Sequence, residues 1–321
     1  MIFFRRRFLI SLTSFFVVTG MTLVDLMSRF SDDACCRELL ERLRWPTAPK
    51  CIRCGGIVAR RNEILICYPC HYEFRVTTGT IFGDTHLPLE KWFIAVLLLV
   101  EARKGMSAMQ LKRTLGVGYK TAWYLFHRIR AAMATAERLP LTGTIELDET
   151  YVGGVERGGK RGRGTDKEIV VGIRQRQGEL RFFHAADVKS GTLAKYVQEN
   201  VSGSVEVIVT DDSSSYPRAL DDAAPPLFGN MRSKHKTIKH SAGVYVDPID
   251  PSIHTNTVES AFSLLKRGIV GSWHKVSAKH LSRYLAEMEF RFNRRKRSDL
   301  FIETLRHMVT ADPLSFAELI K

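Results

Sequence analysis

Apolar positions along the chain change their spacing, and the changes divide it into blocks. Between residues 79 and 138 they recur at helical intervals: Trp92, Ala95, Val96 and Leu99 share one stripe, and Ala122, Trp123, Phe126 and Ile129 another. From about residue 140 short apolar runs bounded by turn residues predict strands at 144–148, 169–174, 180–185 and 205–210, with a weaker fifth at 236–240. A helix over 192–198 falls between the third and fourth strands. Two more helices follow, near 256–267 and 277–293, and residues 298–321 form a C-terminal tail with a small helix or two. Residues 21–50 read as a helical lead-in, with Asp32 and Asp33 at a helix start and Trp45-Pro46 as its stop.

The first 24 residues imitate a secretory leader, with Arg5, Arg6 and Arg7 ahead of an apolar run from Phe8. The cysteine usage and the charge both contradict export. We therefore expect translation to start at Met21, leaving residues 1–20 as an upstream extension outside any domain. No other apolar run is long enough to span a bilayer; residues 94–100 are too few and are flanked by charge.

With 45% hydrophobic residues the chain can bury a core, which excludes a disordered polyelectrolyte. Its 48 Lys+Arg outweigh 34 Asp+Glu, a net charge of +14 that points to an anionic partner. Residues 101–130 carry seven basic side chains against one acidic, 156–167 five against two, and 266–297 ten against two. This clustering favours double-stranded DNA over a membrane, and a cytoplasmic, nucleoid-associated protein. Lys160, Arg161 and Arg163 lie in a Gly/basic loop, 153–164, that either clamps DNA or is merely solvated.

Of the six cysteines, four form two C-x2-C pairs, Cys51 with Cys54 and Cys67 with Cys70, while Cys35 and Cys36 have no matching pair. Each C-x2-C turn presents two thiolates to one side of an ion, so the four predict one structural Zn²⁺ in a ribbon over 51–78. Within 79–138, residues 105–130 predict two helices around a turn bracketed by Gly116 and Gly118, the first capped by Ser107. On the second, Lys120, Thr121, Tyr124, His127, Arg128 and Arg130 are expected on or beside the exposed side, where a helix-turn-helix meets a major groove. The plainer reading is an ordinary helical hairpin with a solvated basic face.

Asp148 ends the first strand and Asp211 follows the fourth. The order strand-strand-strand-helix-strand opens the ribonuclease H fold, an α/β architecture in which the first and fourth strands lie adjacent and parallel. Both carboxylates then meet at one sheet edge. Glu259 sits on the next helix, which Thr255 or Asn256 can cap, and Asn256, Glu259, Ser263 and Lys266 share a helical face. Such a set suits two Mg²⁺ (or Mn²⁺) ions, hard cations that take carboxylate oxygens and leave room for water and phosphate. Lys266 is placed to reach a phosphate, and Arg267 adds charge beside it. Glu146, Glu149 and Asp212 compete for the ligand roles and are expected behind the ligands or out in solvent.

These pieces resemble the bacterial insertion-sequence transposases of the zinc-ribbon, ISXO-like type, in the DDE group. The resemblance rests on Arg44-Trp45-Pro46, Gly79-Thr80-Ile81-Phe82, Lys120-Thr121-Ala122-Trp123, Asp148-Glu149-Thr150-Tyr151-Val152-Gly153-Gly154, Thr210-Asp211 and His254-Thr255-Asn256-Thr257-Val258-Glu259-Ser260. It covers about residues 28–297 and implies a catalytic domain over 140–297 in which Asp148, Asp211 and Glu259 bind metal. Related transposases vary at the third position, some using an Asn with a downstream Lys, so Asn256 and Lys266 stay beside Glu259. It also implies binding to the element's terminal repeats, cleavage there, joining of the 3′-hydroxyl ends to target DNA, and at least a homodimer on DNA. Two departures stand out: Ile52-Arg53 replaces the expected Pro in the first knuckle, and Asp212-Ser213-Ser214-Ser215 follows Asp211. The rivals are a transposase-derived DNA-binding regulator without catalysis and a nuclease of the same fold.

Overall fold

The structure, a computed structural model, describes residues 20–136, 138–153, 167–223 and 231–321. Residues 1–19 and the loop carrying Lys160, Arg161 and Arg163 lie outside the described residues. The chain opens with α1 (Leu23–Arg29) and α2 (Asp33–Arg44). Thr22 and Asp25 close a capping box on α1, and the Asp32 carboxylate accepts from Cys35 N at 2.8 Å to start α2. A small antiparallel sheet follows, β1 (Val58–Arg61), β2 (Ile64–Cys67) and β3 (Glu73–Phe74).

Helices α3 (Leu89–Glu101), α4 (Ala108–Leu115) and α5 (Tyr119–Met133) come next. As expected, Ser107 caps α4, its Oγ accepting from Gln110 N at 3.1 Å. Trp92, Phe93, Ala95, Val96, Leu97 and Leu99 of α3 are all buried, so this helix is apolar nearly all round and forms the centre of a helical body. Its core is completed from far away in sequence. Phe301, Leu305, Met308 and Val309 of α10 (Leu300–Thr310) and Leu319 of α11 (Phe316–Ile320) pack into the same cluster as α1 to α5.

The second sheet is built from β4 (Thr144–Val152), β5 (Glu168–Gln175), β6 (Leu180–Ala185), β7 (Val207–Asp211) and β8 (His235–Ile238), in the order β6-β5-β4-β7-β8. The first three pair antiparallel, whereas β4–β7 and β7–β8 are parallel. The fifth strand lies slightly earlier than its predicted 236–240, because the chain turns into a 3-10 helix at His240. Period-2 alternation sorts the two faces. Ile145, Leu147, Val171 and Ile173 pack under α6 (Ser190–Asn200) and α7 (Ser215–Asp222). Val152 and Val170 face α8 (Asn256–Gly268) and α9 (Ala278–Asn293). The result is a mixed α/β layer joined to the helical body through α9. Among the described residues, no helix is long and apolar enough to cross a membrane.

Candidate active site and metal centres

Strands β4 and β7 run side by side only as far as Glu146 opposite Val209. Two residues further along each come Asp148 and Asp211, where β4 stays with β5 and the two parallel strands part. The cleft that opens there holds an acidic cluster. Oxygens of Asp148, Glu149 and Asp211 all lie within 4.8 Å of one another. Asp148 Oδ1 accepts from Glu149 N at 2.8 Å, Asp211 Oδ1 accepts from Ser213 N at 3.1 Å, and the Tyr216 hydroxyl donates to Glu149. Burial pushes the Asp148 carboxyl well above its ordinary range, and the nearby Glu149, Asp211 and Glu259 charges push it the same way. Carboxylates crowded this closely suit a divalent cation, which favours their charged forms.

Glu259 arrives from the other side, on α8. Its Oε1 accepts from Thr255 Oγ1 at 2.9 Å and lies 3.1 Å from His240 Nε2, which is itself 2.8 Å from Thr255 Oγ1. It therefore sits in a Thr–His clasp beside the cluster, and Glu149 is the carboxylate brought closest to the two aspartates. Alternation along β4 turns Glu149 to the face opposite Asp148, where Tyr216 of α7 holds it. Glu149, expected behind the ligands or in solvent, is brought to the cluster by a partner that nothing local in the sequence shows.

Two features bring α8 to this edge. Gly172 pairs with Asp148 across β4 and β5, and a Cβ there would come within 2.8 Å of Phe262 and 2.9 Å of Val258, both on α8. Glu146 supplies the second. Neither Thr255 nor Asn256 caps α8 with a side chain. Instead, the fully buried Glu146 carboxylate accepts from Thr257 N at 2.9 Å, Thr257 Oγ1 at 2.8 Å and Val258 N at 2.9 Å. A negative charge at a helix N-terminus stabilises it, and Arg176 balances this one at 2.7 Å. The expected capping was thus displaced by a residue more than a hundred positions away. Asn256, Lys266 and Arg267 are exposed on α8, and Arg267 Nε donates to Ser263 O at 3.2 Å.

The four paired cysteines form the second centre. All four Sγ atoms lie within 4.8 Å of one another, with Cys51–Cys70 at 3.6 Å, Cys54–Cys67 at 3.4 Å and Cys54–Cys70 at 3.5 Å. Tetrahedral zinc with bonds of about 2.3 Å sets sulfurs roughly 3.8 Å apart, so the donors fit that ion.

The description ISXO2-like transposase domain matches residues 140–293, the stretch that carries the acidic cluster and α8. A Halobacterium salinarum protein, "Uncharacterized protein in transposable element ISH50", is 30% identical over 284 residues, covering 79% of this chain and 88% of its own length. The chain belongs to the ISXO2-like transposases. Among solved structures, a pre-cleavage Mos1 transpososome overlaps at 10% identity with a TM-score of 0.25, over 68% of this chain and 75% of that one, too loosely to argue from.

The basic residues predicted on this transposase's α5 divide sharply. Lys120 and Thr121 are exposed, with Lys120 Nζ 4.1 Å from the centre of the Phe316 ring. Tyr124 is half-buried and donates its hydroxyl to Leu314 O. The expectation that His127, Arg128 and Arg130 lie toward solvent is corrected: all three are buried. Arg128 Nη2 donates to Gly83 O, and Arg130 Nε meets Glu287 Oε2 at 2.6 Å. The cause is tertiary, since α3, α9 and α10 enclose the later turns of α5 and leave mainly its first turn open.

Proposed function

We propose that this transposase binds the terminal repeats of its own insertion sequence, cleaves phosphodiesters at the element's ends and joins the freed 3′-hydroxyls to target DNA. The observation that carries this reading is the meeting of Asp148 and Asp211 where two adjacent parallel strands diverge, beneath the helix bearing Glu259. The strand order and the helices on both faces favour a ribonuclease H-like catalytic domain over 140–297. Asp148 and Asp211 would hold two divalent ions, Mg²⁺ or Mn²⁺, with Glu259 completing one of the sites. Bound there, the ions supply activation of the attacking oxygen and charge neutralisation of the leaving one.

The chain's own groups do the rest. Glu146 and Gly172 fix the approach of α8, and the Thr255–His240 clasp aims Glu259. The exposed Lys266 and Arg267 stand where they can meet phosphate, and Asn256 stands at the head of the same helix as the alternative third ligand. We assign the zinc ribbon over 51–78 and the helix-turn-helix of α4 and α5, through Lys120 and Thr121, to holding the element ends in a homodimer or larger assembly. Lys160, Arg161 and Arg163 follow β4 in sequence and are assigned to the same DNA.

Incubating purified protein and Mg²⁺ with DNA carrying the element ends tests the reading. Joined products are expected, and Asp148→Asn should abolish them while leaving binding intact. Cleavage without joining would instead identify a nuclease, and binding without chemistry a regulator.

A further inference from the structure

A cavity of about 570 Å³ opens between the start of α4, the start of α5 and the connection from α8 to α9. It shares no residue with the acidic cluster or the cysteine site. Four aromatic side chains line it: Tyr119 and Trp123 from α5, Trp273 from the connection and Tyr284 from α9. Arg113 and Lys275 stand on its rim, both exposed, and among the described residues no Asp or Glu lines it. Such a volume is ordinary for a small-ligand pocket, within the range of roughly 300–1,000 Å³.

The walls are held in place before anything binds. The Trp273 indole lies against Gly105, where a Cβ would come within 2.5 Å of the ring, and meets Tyr284 edge-on at 4.9 Å. Trp123 is backed by His127 at 4.4 Å and His280 at 5.4 Å. The connection itself is a π-helical turn, Ile269–Trp273, followed by His274 at φ 60 and ψ −53. Backbone of this kind costs free energy and persists at sites where it serves a purpose.

Flat aromatic walls with a cationic mouth select a planar, π-bearing ligand attached to an anion. A neutral aliphatic ligand would leave Arg113 and Lys275 without a counter-charge, and a cationic one is repelled by them. A nucleobase with its phosphate meets both demands, and a base still paired in a duplex cannot enter. We propose that this cavity takes an unpaired nucleobase from DNA lying across the start of α5, with the flanking phosphate on Arg113 and Lys275. The inference rests on the reading of the chain as a DNA-acting transposase and adds a second site of contact to it.

Two duplexes of one arbitrary sequence test it, one fully paired and one carrying a single unpaired 2-aminopurine. Fluorescence anisotropy gives affinity and 2-aminopurine emission reports stacking. The unpaired-base duplex is expected to bind about tenfold more tightly, with its emission quenched, from stacking on the aromatic walls. Tyr119→Ala removes a half-exposed wall without opening the core. It should erase that tenfold preference and the quenching while leaving the paired duplex bound as before, and Tyr119→Phe should retain both. Equal affinity for the two duplexes with undimmed emission overturns the proposal. So does an equal loss on both duplexes in Tyr119→Ala, which marks a backbone contact. Failure to bind either duplex at low salt overturns the DNA reading along with it.

Discussion

His127 lies fully enclosed between Trp123, His280 and Tyr284, and among the described residues neither of its ring nitrogens has a hydrogen-bond partner. Burial pushes its pKa down to about 2, with Arg130, His280 and Arg283 acting in the same direction. The folded chain therefore keeps this ring neutral through mild acid, while the unfolded chain protonates it near pH 6.5. Between those values the unfolded state binds the extra proton, so stability falls as pH drops below about 6.5, with a slope approaching about 1.4 kcal/mol per pH unit. His127→Phe, close in shape, should make the decline shallower by about that much, while His235, His280 and His307, also pushed down by burial, keep their own share. Urea midpoints at pH 7, 6 and 5 for the two proteins check this, and parallel declines refute it. Gly172 shows the same dependence on a single position, since one added carbon would meet Phe262 and Val258 of α8 opposite Asp148.

Between elements, α5 and α9 are joined by a buried ionic triad. Glu287 is fully enclosed and faces Arg130 at 2.6 Å and Arg291 at 2.9 Å, while Arg291 also donates to Ala102 O at 2.6 Å. Removing the acid strands two guanidinium groups, so Glu287→Leu should cost about 3–5 kcal/mol. The triple change Arg130→Met, Glu287→Leu and Arg291→Leu should recover most of the loss, as read from denaturant midpoints. This triad also explains where the sequence misleads. The strands are visible because alternation is local, and the cap at Ser107 because its partner is three residues away. Arg130 meets a residue 157 positions distant, and a basic residue at helical spacing looks the same whether it faces water or a buried glutamate.

Across the molecule, the cysteine site carries the clearest dependence on a ligand. The ribbon's own buried cluster is Cys51, Leu65, Cys67 and Phe74, so two of its four members are the thiols themselves. Beyond the thiols, Leu65 and Phe74 have only the partly buried Trp45, Val58 and Tyr72 packed against them, a cluster small enough that we expect the segment to need metal. We expect about one zinc per chain, and a strong chelator should open residues 51–76 to protease while the five-stranded sheet stays protected. A ribbon that resists cleavage after zinc is lost would show that packing alone holds it. The acidic site was legible in part: Asp148 and Asp211 follow from strand order, whereas the nearness of Glu149 needs Tyr216 and the capping by Glu146 needs the tertiary fold. Net charge was the least faithful guide. Of the basic residues tallied toward DNA, Arg128, Arg130 and Arg291 are buried, so the outward field is weaker along α5 and α9 than the count suggests.

Helices α10 and α11 complete a core begun by α1 to α5, with the whole five-stranded sheet inserted between the two parts in sequence. During synthesis the apolar faces of α2, α3 and α5 must therefore wait, uncovered, until Phe301, Leu305 and Met308 have left the ribosome. The cell therefore meets the growing chain with its helical body unfinished until α10 and α11 are made. That delay leaves a long window of exposed apolar surface in which chaperones are needed.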